Sequence, residues 1–161
     1  MIRLIYSTTP ERVIGRQGRL VAHIPADLKR FAQLTDGAVV IMGLGTWNSL
    51  PGKQRPLKNR TNIVLTTNTS MKLPGATIYH SLNSAIADHN DRDIWIIGGG
   101  KVLKQSMKIA EEIRLTSILN NLNGDCYSPE INESEWLEVS RSEILSSGNL
   151  RYRYIDYRRQ K

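Results

Sequence analysis

The stretch DIWIIGGGKVL, residues 93–103, decides the fold of this chain, because it joins a buried strand to a helix through three glycines. Residues 94–97 are an unbroken apolar run rich in β-branched side chains, typical of a strand covered on both faces. The glycines let the backbone approach a ligand closely, and the free N–H groups of a first helical turn attract an anion. The stretch therefore predicts a phosphate-binding turn, although the same glycines also suit a tight strand-to-helix connection alone.

A second junction of the same kind follows the apolar residues 38–42. There Gly43-Leu44-Gly45-Thr46 leads into a short helix that contains Trp47. In a parallel sheet both turns lie at the carboxyl ends of the strands, where α/β proteins bind their ligands.

Strands and helices alternate along most of the chain. Apolar, β-branched runs predict strands at residues 2–7, 38–42, 61–65, 77–79, 94–97, 112–119, 136–142 and 151–158. Helical spacing predicts helices from Pro25 to Asp36-Gly37, around Trp47, after a Ser81 cap, and from Lys101 to Met107. Residues 8–18 and 120–129 are predicted to be loops, and residues 146–149 a hairpin turn. This order predicts a three-layer α/β/α fold with a mainly parallel sheet and an antiparallel C-terminal strand.

Composition favours a cytoplasmic protein with one domain over residues 1–161. The length allows a sizeable core, and 40% of the residues are hydrophobic. No apolar run approaches the roughly 20 residues that span a bilayer, and the first residues lack the pattern of a signal peptide. Cys126 is the only cysteine, so no internal disulfide can form.

The charge balance is basic, with 22 Lys and Arg against 15 Asp and Glu, a formal charge of +7 at pH 7. Such a chain attracts polyanions in general, including phosphorylated cofactors, nucleic acids and polyglutamate tails. The densest basic run, residues 151–161, is typical of a solvated edge strand and tail. Because no helix-turn-helix, zinc or RNA-binding motif is seen, we expect no specific nucleic-acid partner and no metal site.

Short motifs in a fixed order connect these elements to a known family. They are Val13-Ile14-Gly15, Ile24-Pro25-Ala26-Asp27-Leu28 with Phe31, Val40-Ile41-Met42-Gly43, Thr46-Trp47, Arg55-Pro56-Leu57, Arg60-Thr61-Asn62-Ile63, Ile96-Ile97-Gly98-Gly99-Gly100, Leu115-Thr116, Gly124-Asp125 and the spacing of Tyr152, Tyr154 and Tyr157. Each motif is weak alone, but together they span nearly the whole chain. In them the chain resembles dihydrofolate reductases of the bacterial or phage type.

The resemblance implies reduction of 7,8-dihydrofolate to 5,6,7,8-tetrahydrofolate by hydride from NADPH, a step of one-carbon and thymidylate metabolism. It also implies a monomer without a membrane partner, and a cleft open to antifolate inhibitors. One alternative is a reductase of the same fold that acts on another pterin or a pyrimidine, substrates that lack the glutamate tail of a folate. Another is a weakly active or non-catalytic protein that binds folate or polyanions.

The resemblance places Asp27 in the pterin pocket, where a carboxylate pairs in one plane with an amino group and a ring N–H. Burial would raise the pKa of Asp27 and suit it to proton supply, either directly or by ordering a water. Thr116 would hold Asp27 from the sheet, and Leu20 completes the expected catalytic set. Arg60 would pair with the α-carboxylate of the glutamate. The expected substrate contacts are Ile5, Asp27, Leu28, Phe31, Leu50, Arg55, Arg60 and Thr116.

For NADPH, the resemblance places the pyrophosphate between the two glycine junctions, the nicotinamide beside the first loop, and the adenosine ribose with its phosphate at the end of the third strand. The expected cofactor contacts are Ser7, Ile14, Gly15, Leu20, Gly43, Leu44, Gly45, Thr46, Thr66, Thr67, Ile97, Gly98, Gly99, Gly100, Lys101 and Val102.

Three departures from the family pattern fall near this site. Val21-Ala22 stands where most members have Pro-Trp, which would leave room for water and a more mobile lid loop. Leu44 and Gly45 replace a basic pair that grips the cofactor phosphates, and Leu103 replaces an aromatic ring near the nicotinamide. We therefore expect slow turnover, loose substrate binding, and use of NADPH with reduced discrimination against NADH.

Overall fold

The computed structural model of the chain describes residues 1–68 and 70–161, which form two sheets and four α-helices. The strands are β1 (Ile2–Thr8), β2 (Val13–Arg16), β3 (Arg19–Leu20), β4 (Val39–Gly43), β5 (Thr61–Leu65), β6 (Ala76–Tyr79), β7 (Ile94–Gly98), β8 (Glu112–Ile118), β9 (Cys126–Tyr127), β10 (Trp136–Arg141), β11 (Leu145–Ser147) and β12 (Leu150–Arg159). The helices are α1 (Pro25–Thr35), α2 (Leu44–Ser49), α3 (Leu82–Ala87) and α4 (Gly100–Ser106), with a short 3-10 helix at Gly52–Gln54. Among the described residues, no helix combines the length and the hydrophobicity that crossing a bilayer requires.

The large sheet has the strand order β10-β12-β8-β1-β7-β4-β5-β6, with β11 also paired to β12. The strands from β8 to β6 run parallel to their neighbours, whereas β12 runs antiparallel to β8, β10 and β11. β1 lies in the middle, where Leu4 pairs with Ile96 of β7 and with Ile113 of β8. The predicted parallel sheet with an antiparallel C-terminal strand is confirmed.

Each face of this sheet carries its own apolar core. Because side chains alternate along a strand, Val39 and Ile41 of β4 enter one core, and Val40 and Met42 enter the other. Helices α3 and α4 cover the first core, and helices α1 and α2 cover the second. The predicted three-layer arrangement is therefore confirmed.

The residues predicted to begin and end helices do so in the structure. Pro25 occupies the first turn of α1, where its missing N–H costs no hydrogen bond. The chain leaves α1 through Gly37, whose positive φ of 72° suits glycine. At α3, Ser81 accepts a hydrogen bond from the backbone N–H of Ser84 at 3.1 Å, as a helix cap does.

Two predicted loops contain a second sheet, so the prediction for residues 8–18 and 120–129 is wrong in part. Strands β2, β3 and β9 pair in the order β3-β2-β9. They are only two to four residues long and carry glycine and charge, so they show no clear alternation to detect. Asp125 stabilises this sheet through two hydrogen bonds. Its carboxylate accepts from the Gln17 N–H, and its own backbone N–H donates to the Gly15 carbonyl, both at 3.0 Å.

The basic C-terminal run is not an edge strand. β12 lies between β8 on one side and β10 and β11 on the other, and Tyr152 and Ile155 are buried. Charged and apolar residues alternate along β12, so its basic composition hides an apolar face that is buried. The turn after β11 contains Gly148 at a φ of 58°, so the predicted hairpin is confirmed, with β11 as the nearer partner.

The packing of the second sheet can be tested by a substitution at Gly124. A β-carbon at this position would clash with the Val13 side chain and the Gly15 carbonyl. We expect Gly124→Ala to lower the free energy of unfolding by about 1–3 kcal/mol, measured by urea denaturation. Gly52→Ala is the matched control, because the nearest atom to its β-carbon would be 3.9 Å away. Equal stability of the two variants would contradict this account of the sheet.

Candidate active site

Asp27 lies in the first turn of α1 and is held from the sheet by Thr116 of β8. The Thr116 hydroxyl donates to Asp27 Oδ1 at 2.6 Å, a short, charge-assisted hydrogen bond. Thr116 is buried, and its neighbour in β1 is Ser7. The structure therefore brings together three predicted site residues that lie far apart in the sequence.

The surroundings of Asp27 favour its protonated form. Burial raises the pKa of Asp27, while the Thr116 hydrogen bond and the charge of Arg30 act in the opposite direction. A carboxyl group in this state holds a proton at a higher pH than an exposed aspartate, which suits it to proton supply.

An apolar wall extends from Asp27 along the sheet face that α1 and α2 cover. Ile5 is buried there, with Phe31 and Leu50 packed against the same core. Leu28, on the exposed side of the first turns of α1, retains 37% of its surface in solvent. The wall suits a flat aromatic ligand, which would cover Leu28 and Phe31.

Arg60 lies at the other end of α1. Its Nε donates to the Lys58 carbonyl at 2.9 Å and its Nη1 donates to Thr35 Oγ1 at 3.1 Å. The guanidinium also lies 5.6 Å from the ring centroid of Phe31. Burial lowers the pKa of Arg60, and the Asp36 carboxylate opposes this effect, so the side chain remains a cation in a fixed orientation.

Arg55 has a less defined place than Arg60. It is exposed in the loop that follows α2, with its guanidinium near Gly52. The predicted role in substrate binding stays a prediction for this residue.

The two glycine junctions meet at the carboxyl ends of β4 and β7. A β-carbon on Gly43 would lie 3.3 Å from Val102 and 3.8 Å from the Gly99 nitrogen. A β-carbon on Gly98, whose φ is 135°, would lie 3.2 Å from Thr46 Oγ1. Glycine allows this close approach, and we call the narrow space between the two junctions, which the side chains of Val102 and Thr46 also border, the crevice.

The second sheet borders the same crevice through β9. This contact between β9 and the glycines was not predicted from the sequence. A β-carbon on Gly100 would clash with the Tyr127 carbonyl, and the Cys126 sulfur lies 3.9 Å from the β-carbon position of Gly99. The only sequence signal was the neighbouring Gly124-Asp125 motif, to which no role was assigned.

A cavity of about 690 Å³ opens beside the crevice. Four of the predicted cofactor residues, Thr66, Thr67, Lys101 and Val102, line it. The cavity is also lined by five polar or basic residues that were not predicted as site residues, namely His80, Ser81, Asn83, Gln105 and Lys108.

The first loop runs along the remaining side of the site as strands β2 and β3. Gly15 pairs with Leu20, and Ile14 is buried, whereas Leu20 keeps 57% of its surface in solvent. Val21 and Ala22 pack against the small core around Ile118 and Tyr152, so this stretch has apolar contacts despite its departure from the family pattern.

The other departures have different surroundings. Leu103 is fully buried in the core under α4. Leu44 packs against the core under α2, and Gly45 is exposed. Neither position of the missing basic pair therefore carries a cation toward the cavity. Ile97, another predicted cofactor contact, is partly buried against the same core as Leu44.

The whole chain matches one family of known proteins. The family model described as dihydrofolate reductase covers residues 1–159. A dihydrofolate reductase of Mycobacterium leprae is 34% identical over 163 residues, covering 99% of this chain and 98% of that protein. A dihydrofolate reductase of Haemophilus influenzae is 41% identical over 134 residues, covering 83% of this chain and 81% of that protein.

A solved structure agrees with these sequence matches. A dihydrofolate reductase from Enterococcus faecalis, complexed with NADP(H) and RAB-propyl, superposes with a TM-score of 0.92 and 30% identity. The alignment covers 100% of this chain and 97% of that one. The family resemblance and the fold inferred from the sequence are confirmed.

The Thr116 hydrogen bond can be tested through the pH dependence of stability. Thr116→Val removes the donor, so we expect a further rise in the pKa of Asp27 and a loss of about 1–2 kcal/mol in unfolding free energy at pH 7. A carboxyl with a raised pKa stabilises the fold when it is protonated and loses this contribution as pH rises through its folded pKa. The difference in unfolding free energy between Thr116→Val and the unaltered protein should therefore be smaller in acid than at pH 7.

Urea denaturation at neutral and acidic pH measures this difference. Thr77→Val is the control, because Thr77 is an exposed threonine on β6. A loss in Thr116→Val that is the same at both pH values would contradict the assigned hydrogen bond.

Proposed function

The chain belongs to the dihydrofolate reductase family, and from this premise we propose that it reduces 7,8-dihydrofolate to 5,6,7,8-tetrahydrofolate with NADPH. The observation that carries the proposal is the placement of Asp27 and Arg60 at opposite ends of α1. Eight residues of helix separate Asp27 from Thr35, the partner of Arg60, which corresponds to about 12 Å. A ligand bound by both groups must be elongated, with hydrogen-bond donors at one end and a carboxylate at the other.

The apolar wall between these ends supports a folate rather than a smaller heterocycle. Asp27 would accept from the amino group and ring N–H of the pterin, and Arg60 would bind the α-carboxylate of the glutamate. Ile5, Phe31 and Leu50 would line the intervening ring system. A pterin or pyrimidine without a tail would leave the cation of Arg60 without a partner.

The residues at the two glycine junctions and in the adjoining cavity fit the phosphate groups of a dinucleotide. The crevice between Gly43 and Gly98 offers backbone groups at close range, and the adjoining cavity of about 690 Å³ carries Thr66, Thr67 and Lys101. NADPH, when bound, supplies the hydride for the reduction. The protein would grip its phosphates, while Ile14, Gly15 and Leu20 would exclude water from the reacting end.

Asp27 would act on the proton that the reduction also consumes. Burial raises its pKa, so it holds a proton at a higher pH than an exposed aspartate, and Thr116 would fix the carboxyl plane toward the ligand. Direct donation by Asp27 and ordering of a donor water both use this arrangement. We further propose that the chain acts as a cytoplasmic monomer with one domain.

The assignment of Asp27 is tested by Asp27→Asn. The amide keeps the shape but holds no transferable proton, so we expect kcat/KM for dihydrofolate at pH 7 to fall by about 10²–10⁴-fold. NADPH oxidation followed with purified protein measures the rate, and circular dichroism checks the fold. Comparable activity of Asp27→Asn and the unaltered protein at neutral pH would refute the role.

The proposed contacts with the cofactor phosphates can be tested by substituting Lys101. Because Leu44 and Gly45 supply no charge, we propose that Lys101 binds a phosphate of NADPH from the cavity wall. We expect Lys101→Gln to lower kcat/KM for NADPH by roughly tenfold, the effect of one charge-assisted hydrogen bond.

Lys104→Gln is the matched control on the same helix, because Lys104 is exposed and lies outside the cavity. NADPH and NADH are compared as alternative cofactors for each variant. A loss in Lys104→Gln as large as that in Lys101→Gln would show that general charge, and not the cavity, is responsible.

A further inference from the structure

A row of alternating charges, which we call the arginine–carboxylate ladder, crosses from α1 to the middle of the large sheet. Its members are Arg30, Asp156, Arg114, Glu112 and Arg3. Asp156 lies 3.5 Å from Arg30 and 2.6 Å from Arg114. Glu112 lies 3.2 Å from Arg114 and 3.0 Å from Arg3.

The ladder is shielded from water, unlike an ordinary surface ion pair. The side chains of Arg30 and Asp156 are 21% and 18% exposed. Within the described part of the chain, Arg30 Nη1 is buried and has no hydrogen-bond partner. Among the described residues, its carboxylate partner is Asp156 at 3.5 Å, which Arg30 shares with the closer Arg114.

Tyr154 fixes Arg30 from the opposite side. The guanidinium carbon of Arg30 lies 4.0 Å from the centroid of the Tyr154 ring, a cation–π contact. In the sheet, Tyr154 pairs directly with Thr116, the partner of Asp27. Arg30 is also three residues after Asp27 on α1, so the two side chains share one face of the helix.

The groups that face Asp27 therefore come from three elements. β8 contributes the Thr116 hydroxyl, β12 contributes the Tyr154 phenol, and α1 contributes the Arg30 cation. Burial and the negative charge of Asp27 raise the pKa of Tyr154 to about 12, so the phenol stays neutral. Of the three, Arg30 alone is charged in the working pH range.

We propose that Arg30 is a positioning residue of the reduction, held by the arginine–carboxylate ladder against Tyr154 so that its charge sets the pH range in which Asp27 carries a proton. The expected effect of Arg30 on catalysis rests on the proposed function, whereas its expected effect on the titration of Asp27 concerns the free protein. A cation favours the carboxylate, whereas burial favours the protonated acid, and the charge of Arg30 lowers the pKa that burial has raised. The position of this cation therefore decides how far burial raises the pKa of Asp27.

The first test measures the titration of Asp27 in the free protein by carbon-13 NMR of the aspartate carboxyl groups, with Asp27→Asn to assign the signal. Arg30→Met retains the apolar stem on Tyr154 and removes the charge, so we expect the Asp27 midpoint to move to higher pH. Arg30→Lys should return it toward the original midpoint. This readout needs no activity and therefore does not depend on the proposed function.

Arg92→Gln is the matched control, since it removes the same charge elsewhere. Arg92 donates to Thr61 Oγ1 and to the Gly37 carbonyl. Gly37 follows the far end of α1, whose last residue, Thr35, lies about 12 Å from Asp27 along the helix. We expect Arg92→Gln to leave the midpoint unchanged.

The kinetic test uses the pH profile of kcat/KM. If protonated Asp27 is the active form, Arg30→Met moves the descending limb to higher pH and raises kcat/KM at a fixed pH above the limb by about two- to tenfold. A purely structural role of Arg30 would lower the rate at all pH values without moving the limb.

Asp156→Asn provides a second variant should Arg30→Met fail to fold. It removes a negative charge and leaves Arg30 stacked on Tyr154 without a neutralising partner, so the Asp27 midpoint should move to lower pH. An unchanged or lower midpoint in Arg30→Met, or a higher one in Asp156→Asn, would overturn the proposal.

Discussion

The hydrogen bond from Thr116 to Asp27 is the contact on which the site depends, because it ties the start of α1 to the centre of the large sheet. It joins a helix near the beginning of the chain to a strand far along it, at 2.6 Å. With the first turn fixed in this way, the direction of α1 determines where Phe31 and Thr35 lie. Arg60 takes its orientation from those two residues. One short bond thus helps to set the distance between Asp27 and Arg60, the two ends of the proposed substrate site.

The cofactor side depends on a different constraint, the absence of side chains. Gly43 and Gly98 bring two strand ends into contact, and Gly100 admits the backbone of β9 against α4. In the proposed cofactor site, backbone groups would bind at this crevice, and Lys101 and Lys108 of the flanking cavity would supply the charge. This division would let the chain bind phosphate without a basic pair at Leu44 and Gly45.

Much of this arrangement was predictable from the sequence, and the remainder has a physical reason for being hidden. The buried strands β4 and β7 are continuous apolar runs, so their periodicity and their glycine turns predicted both the sheet and its ligand-binding edge. Strands β2 and β9 escaped detection because they are only four and two residues long, too short to show a period, and their pairing joins parts of the chain more than 100 residues apart. The ladder was also invisible, since Glu112, Arg114 and Asp156 resemble ordinary surface charges until the strands that carry them are placed side by side. The roles assigned to individual site residues came from family motifs and not from periodicity.

The position of β1 in the middle of the sheet has a consequence for how the protein is made. β1 is synthesised well before its partners, which begin at Ile94 and Glu112. β8 in turn lacks its second neighbour until β12 has been synthesised. The nascent chain therefore carries an unpaired apolar strand until these distant partners have been made, and this side of the sheet is completed only by the pairing of β12 with β8.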